Sequence, residues 1–256
     1  MFLRSAVATI SAAGLAAATL LAPVAADAGA VFHKPRIPSS SHVSGNTGWS
    51  STNWSGAAET GSGYTSITGK WSVPAVSATK SASYSSNWIG IDGYNNSNLI
   101  QTGTESDYYN GSAHYAVWWE ILPAAETPIA SMTVSPGDKM SASIVKGGGT
   151  SWTITINDDT KGTSFTTVQN YTGPGTSAEW IEEAPTVGGR VATLANYGLA
   201  TFDSGTVNNG NPKLTAADMG VMTSRRGQIS TPSAPDSDTD GFNVAYGPTA
   251  PLVPGS

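Results

Sequence analysis

From Thr52 onward no long window of the chain carries helical periodicity, and this constrains the fold more than any other feature. Apolar and polar residues alternate instead in short runs closed by Gly, Pro, Asn or Asp. Tyr64 to Pro74 is rich in strand formers and ends at proline. In Ser86 to Asp92, Ile89 and Ile91 point one way and Trp88, Gly90 and Asp92 the other. In Tyr115 to Leu122, Tyr115, Val117, Trp119 and Ile121 share one face, and Trp118 and Glu120 share the opposite one. Ser141 to Lys146, Gly147-Gly148-Gly149 and Ser151 to Asn157 read as a hairpin. Further strands are expected over Ser164 to Gln169, Glu179 to Glu183, Ala192 to Phe202 and Gly241 to Tyr246, with at most a turn of helix near Ala216 to Asp218. Many short strands joined by turns specify an all-β protein, an antiparallel sandwich or barrel.

The ends read differently. Met1 to Arg4 carries one positive charge, an alanine-rich apolar run follows to about Val24, and small residues stand at Ala25-Ala26 and Ala28-Gly29-Ala30. That order is a secretory signal peptide, assigned to residues 1–26, and it predicts a secreted product with no membrane segment in its mature form. Residues 27–50 are rich in Ser, Pro, Gly and His and read as a prosegment or flexible leader, in which Lys34 and Arg36 could cover an acidic cleft. The catalytic domain is expected over 51–247, followed by a loose Pro-rich tail, 248–256.

Composition narrows the function. Charged residues make up 12% of the chain, against about 25% in an ordinary domain. With 12 Lys and Arg against 18 Asp and Glu there is no basic stripe for nucleic acid. So few bases leave little self-repulsion when the carboxylates protonate, a composition that tolerates acid. Cysteine is absent, which removes thiol nucleophiles and thiolate metal sites. Of three histidines only His114 lies in the expected domain, His33 and His42 being in the leader, and there is no Gly-x-Ser-x-Gly elbow. Asp203-Ser204-Gly205 has no second copy, so a paired-aspartate protease cannot be assembled. Asp236 to Asp240 lacks the glycine and closing glutamate of a calcium loop and reads as a solvated turn. No metal and no cofactor are expected.

What remains are polar groups set inside apolar strands: Gln101 in Leu99 to Gly103, Glu120 beside Trp118 and Trp119, and Glu179, Glu182 and Glu183 in Ala178 to Glu183. Charge among bulky apolar groups is costly unless paired. Their spacing suggests a wet, tryptophan-lined sheet face, which a solvent-facing sheet surface would also produce.

Six segments in order resemble the glutamic peptidases, or eqolisins: Asn53-Trp54-Ser55-Gly56, Trp88 to Gly93, Leu99 to Gly103, Trp118-Trp119-Glu120, Ala178 to Glu183 and Phe242 to Tyr246. The resemblance implies a sandwich of two curved antiparallel sheets, concanavalin- or jelly-roll-like, in an acid endopeptidase insensitive to pepstatin. It places the catalytic pair on Gln101 and Glu183, not Glu179, and substrate-binding residues on Trp54, Trp88, Asp92, Trp118 and Glu120. The expected partner is a protein or peptide substrate and the expected state a monomer. The rival reading is a carbohydrate-active or carbohydrate-binding β-sandwich, which also sets aromatic residues and two carboxylates in a groove.

Overall fold

The computed structural model describes residues 31–40 and 47–255. The expected signal peptide, 1–26, lies outside them. The described residues contain strands and turns and no α-helix, so no helix is long and apolar enough to cross a membrane. Residues 216–218, expected as a helical turn, form a hydrogen-bonded turn without one.

One long, almost wholly antiparallel sheet path folds over on itself into a sandwich. The half that carries the candidate site runs, in spatial order, Trp54–Thr60, Ser177–Glu183, Ser86–Ile91, Ile100–Tyr109 and Ser112–Ile121. The facing half includes Ser66–Ser72, Lys139–Lys146, Ser151–Asp158 and Thr163–Asn170. The triple-glycine hairpin forms as expected, with Ile154 paired to Ile144. Two indoles tie the layers together: Trp180 Nε1 donates to the Thr68 carbonyl at 2.8 Å and Trp71 Nε1 to Thr104 Oγ1 at 2.9 Å.

The alternation read from sequence decides which face is core. Ile89, Ile91, Ile100, Val117 and Trp180 join Ile67, Ile144, Ile154 and Ile156 in the main core between the layers. The other face of the same strands carries a second cluster, Trp54, Ala58, Trp88, Leu99, Trp118 and Ile181. Gly103 makes that cluster possible. It pairs with Trp88 and Trp118, and a Cβ there would overlap the Asn87 carbonyl and the Trp88 backbone.

Three expectations are corrected. Of Ala192 to Phe202 only Leu199–Phe202 is a strand. Residues 192–198 run irregularly, with a bridge from Leu194 to Tyr84. The tail is tied down at two points, where Asn243 Nδ2 donates to the Leu252 carbonyl at 2.9 Å and Gln228 Nε2 to the Pro248 carbonyl at 3.3 Å. The described part of the expected leader is ordered against the domain: Val31–Phe32 pairs with Thr186–Val187, and Trp49–Ser51 lies parallel to Met219–Ser224. The sandwich therefore begins before residue 51.

Candidate active site

Strand pairing, not sequence proximity, builds the site. Glu183 ends its strand opposite Trp54 on one side and Ser86 on the other. Gln101 pairs with Gly90 and Glu120. Paired residues share a face, so Glu183, Trp54, Trp88, Gln101, Trp118 and Glu120 all project to the tryptophan-lined side. Gln101 Nε2 donates to Glu120 Oε2 at 2.7 Å. Trp88 Nε1 donates to Glu183 Oε2 at 2.9 Å, and Asn53 Nδ2 lies 3.4 Å from Glu183 Oε1. Trp118 Nε1 donates to Ser86 Oγ, and Trp54 packs edge-on against Trp88 at 4.9 Å. Burial pushes the Glu120 carboxyl up to about 8, and neighbouring Glu183 adds to the effect.

The two glutamates adjoining the candidate catalytic one are separated from it by geometry. Glu182 projects to the core face, where Asn87 Nδ2 hydrogen-bonds it, and burial holds it well above the carboxylate range. Glu179 shares the face of Glu183 but is enclosed two pleats away, and burial raises it as well.

Asp92 does not join this group. It has a left-handed backbone (φ 73°), which takes it out of the strand's alternation. Its carboxylate accepts from Tyr171 Oη, the Gly175 and Thr176 N–H groups, Thr176 Oγ1 and Asn96 Nδ2. It fastens the 171–176 loop to the sheet. His114 stacks on Tyr109 at the far end of its hairpin and touches none of these residues.

Sequence reasoning missed the residues that lie across the site. The segment after Val31–Phe32 enters the groove. Its His33 is wholly buried, stacked on Trp118 with ring centres 3.7 Å apart and planes 7° from parallel. His33 Nδ1 lies 3.0 Å from Glu183 Oε2 and Nε2 lies 3.2 Å from Glu126 Oε2. The His33 N–H reaches Glu120 Oε2 at 3.2 Å and the Lys34 N–H reaches Glu183 Oε1 at 3.1 Å. Burial works against a charge on His33, but Glu183 and Glu126 outweigh it and hold the imidazole well above its ordinary 6.5. Asn53 clamps the segment through the Lys34 and Pro35 carbonyls and the Ile37 N–H. Lys34 and Arg36, which a prosegment could have set over the acidic cleft, place their cations over Phe32 and over Tyr94. The one advance signal was a lone histidine between Val31-Phe32 and Lys34-Pro35, a short extended motif in an otherwise Ser-, Pro- and Gly-rich stretch.

A sequence model of the Peptidase A4 family matches residues 52–246. The chain belongs to this family, the glutamic peptidases. It is 30% identical over 196 residues to aspergillopepsin-2 of Aspergillus niger, covering 67% of this chain and 70% of that one. To scytalidopepsin B of Scytalidium lignicola it is 31% identical over 137 residues, 52% of this chain and about half of that one (51%). The fold matches a crystal structure of scytalido-glutamic peptidase with a transition state analog inhibitor, at a TM-score of 0.65 and 22% identity over 76% of this chain and 98% of that one. Aspergilloglutamic peptidase from Aspergillus niger superposes at a TM-score of 0.57 and 25% identity, over 64% of this chain and 99% of that one. The protein is thus a hydrolase of the glutamic peptidase class with the all-β fold of that family. Family membership favours this over the carbohydrate-active alternative.

Proposed function

We propose that this glutamic peptidase is a secreted, acid-active endopeptidase in which Glu183 is the general base and Gln101 the oxyanion donor. The observation that carries the reading is a stretch of the chain's own backbone lying across the site, its consecutive N–H groups donated to Glu120 and Glu183. A substrate main chain can make the same bonds there.

In the ionised state Glu183 takes a proton from a water as that water's oxygen bonds to the peptide carbonyl carbon. Gln101 donates an amide N–H to the oxyanion that forms, a contribution of about 3 kcal/mol for one such donor. The oxyanion collapses, the C–N bond breaks, and the proton held by Glu183 passes to the departing nitrogen. Gln101 has no charge to lose, so its role survives acid. Glu120, whose carboxyl is pushed up to about 8 and is protonated in acid, fixes the orientation of that amide. Trp88 steadies Glu183 through its indole N–H, and Trp54 packs behind Trp88. The segment from Val31 to Pro38 is an inhibitory prosegment whose His33 blocks Glu183, and cleavage or displacement of it opens the groove.

The test is Gln101→Ala and Glu183→Gln, assayed on denatured casein at pH 4 with near-ultraviolet circular dichroism to verify folding. Gln101→Ala is expected to lose about a hundredfold in kcat/KM or more. Glu183→Gln is expected to be inactive, while Glu179→Gln retains most activity. A folded Glu183→Gln variant that still digests casein at the wild-type rate disproves the assignment.

A further inference from the structure

We propose that Glu105 and Glu126, with the indole face of Trp118, form a side-chain pocket beside the catalytic pair that selects a planar cationic side chain, imidazolium or guanidinium, on the bound peptide. The inference rests on the peptidase reading above and names a substrate preference of the same site.

The pocket is seen with a ligand in it, because the chain supplies one. The His33 N–H and the Lys34 N–H occupy Glu120 and Glu183, so residue 33 sits where a substrate residue next to the reacting bond sits. Its side chain drops flat onto Trp118. Its Nδ1 turns to Glu183 Oε2 at 3.0 Å, the contact by which the segment inhibits, and its Nε2 points between two further carboxyls, 3.2 Å from Glu126 Oε2 and 3.9 Å from Glu105 Oε1. Glu105 is only 7% exposed, and its Oε1 makes no hydrogen bond of its own. Asp107 stands behind it, accepting the Ser85 N–H at 3.0 Å.

A chain this sparing with charge does not bury carboxyls without use. Glu105 and Asp107 are both held up by burial, Glu105 also by repulsion from Asp107 and Glu126, and His33 relieves both. An unpaired buried acid is costly, and a cation with N–H donors offsets that cost. The parallel indole face favours a flat cation that can stack, so arginine and histidine fit better than lysine. An apolar side chain of similar size stacks as well but leaves the two carboxyls only each other to bond, which is how such a pocket disfavours it. The strand places Glu105 four residues after Gln101, on the same face with Gly103 between them, so catalytic donor and pocket wall are fixed by one rigid element. Glu126 comes from the turn after Ile121, at the rim.

The test uses the full chain secreted by its host and acid-treated until it digests casein. Peptides that differ only at one residue flanking the scissile bond (His, Arg, Gln or Leu) are compared at pH 5 for kcat/KM. His and Arg are expected to exceed Gln and Leu by roughly tenfold, the factor of a charge-assisted hydrogen bond. In Glu126→Gln that ratio is expected to fall severalfold, and in Glu105→Gln with Glu126→Gln to approach one, while the ratio for a pair differing several residues away stays the same. If the double variant does not fold, Glu126→Gln alone decides, since Glu126 lies at the rim. An enzyme that digests casein but shows no cation preference at either flanking position overturns the proposal, as does a preference that survives Glu126→Gln. Failure to digest casein at all counts against the peptidase reading instead.

Discussion

Raising the pH from 4.5 to 7 is expected to destabilise this fold, and Glu120 permits a magnitude. Its carboxyl is fully enclosed and is pushed from an ordinary 4.5 up to about 8. Between those values the folded protein keeps a proton that the unfolded chain has released, so stability is lost as pH rises through the window. At about 1.4 kcal/mol per pH unit, the step to pH 7 costs about 3 kcal/mol from this one group. Glu59, pushed up to about 7 but half-exposed, acts in the same direction with a solvent-screened and much smaller share. His33 keeps the sign. Its stabilising charge is fully present below 6.5 and is lost as pH rises through its raised folded value. For a domain of about 200 residues, 3 kcal/mol is about 6–12 °C in Tm. The assay is urea denaturation followed by tryptophan fluorescence at pH 4.5 and 7, with mass spectrometry to check that the chain is intact. Wild type is expected to be the less stable at pH 7. In Glu120→Gln, a neutral isostere that still accepts from Gln101, the pH-dependent loss is expected to shrink by about 3 kcal/mol. A wild type more stable at pH 7 than at pH 4.5, or an unchanged pH slope in Glu120→Gln, refutes the reasoning.

Two stability predictions follow from geometry alone. Asp92→Ala strands the donors of Tyr171, Gly175, Thr176 and Asn96 and is expected to cost about 3–5 kcal/mol. Asp92→Asn, which tolerates the left-handed backbone and keeps one acceptor, should cost clearly less in the same urea titration. Gly103→Ala pushes a methyl group into the Asn87 carbonyl and the Trp88 backbone and is expected to cost about 3 kcal/mol, read as a fall in Tm with the tryptophan spectrum disturbed.

The strength and the limit of reading this chain lie in the same rule, the period of two. It placed Trp118 and Glu120 on one side of a strand and Val117 and Trp119 on the other, and the two cores divide that way. It also separates Glu182 from Glu183, since adjacent strand residues face opposite layers. The rule holds only while the backbone stays extended. Asp92 was assigned to the tryptophan face by counting two on from Gly90, yet the strand ends at Ile91 and the left-handed turn at Asp92 sends its carboxylate into a loop. Periodicity is also silent on pairing. That Glu183 and Gln101, 82 positions apart, project from the same sheet face depends on Ser86–Ile91 lying between their strands, and only the resemblance of whole segments pointed to it from sequence.

His33 shows why the remainder was illegible. Its importance is not a local property, because Val31, Phe32 and Lys34 would look the same in a free tail. Its charge is held by Glu183 and Glu126, which stand 150 and 93 positions further along the chain. Glu105 was within reach, two steps of the same alternation beyond Gln101, but nothing in its immediate neighbours marks it as part of a pocket. A buried carboxyl becomes informative only once its partner is known to come from another segment, and here that partner enters the groove as a peptide.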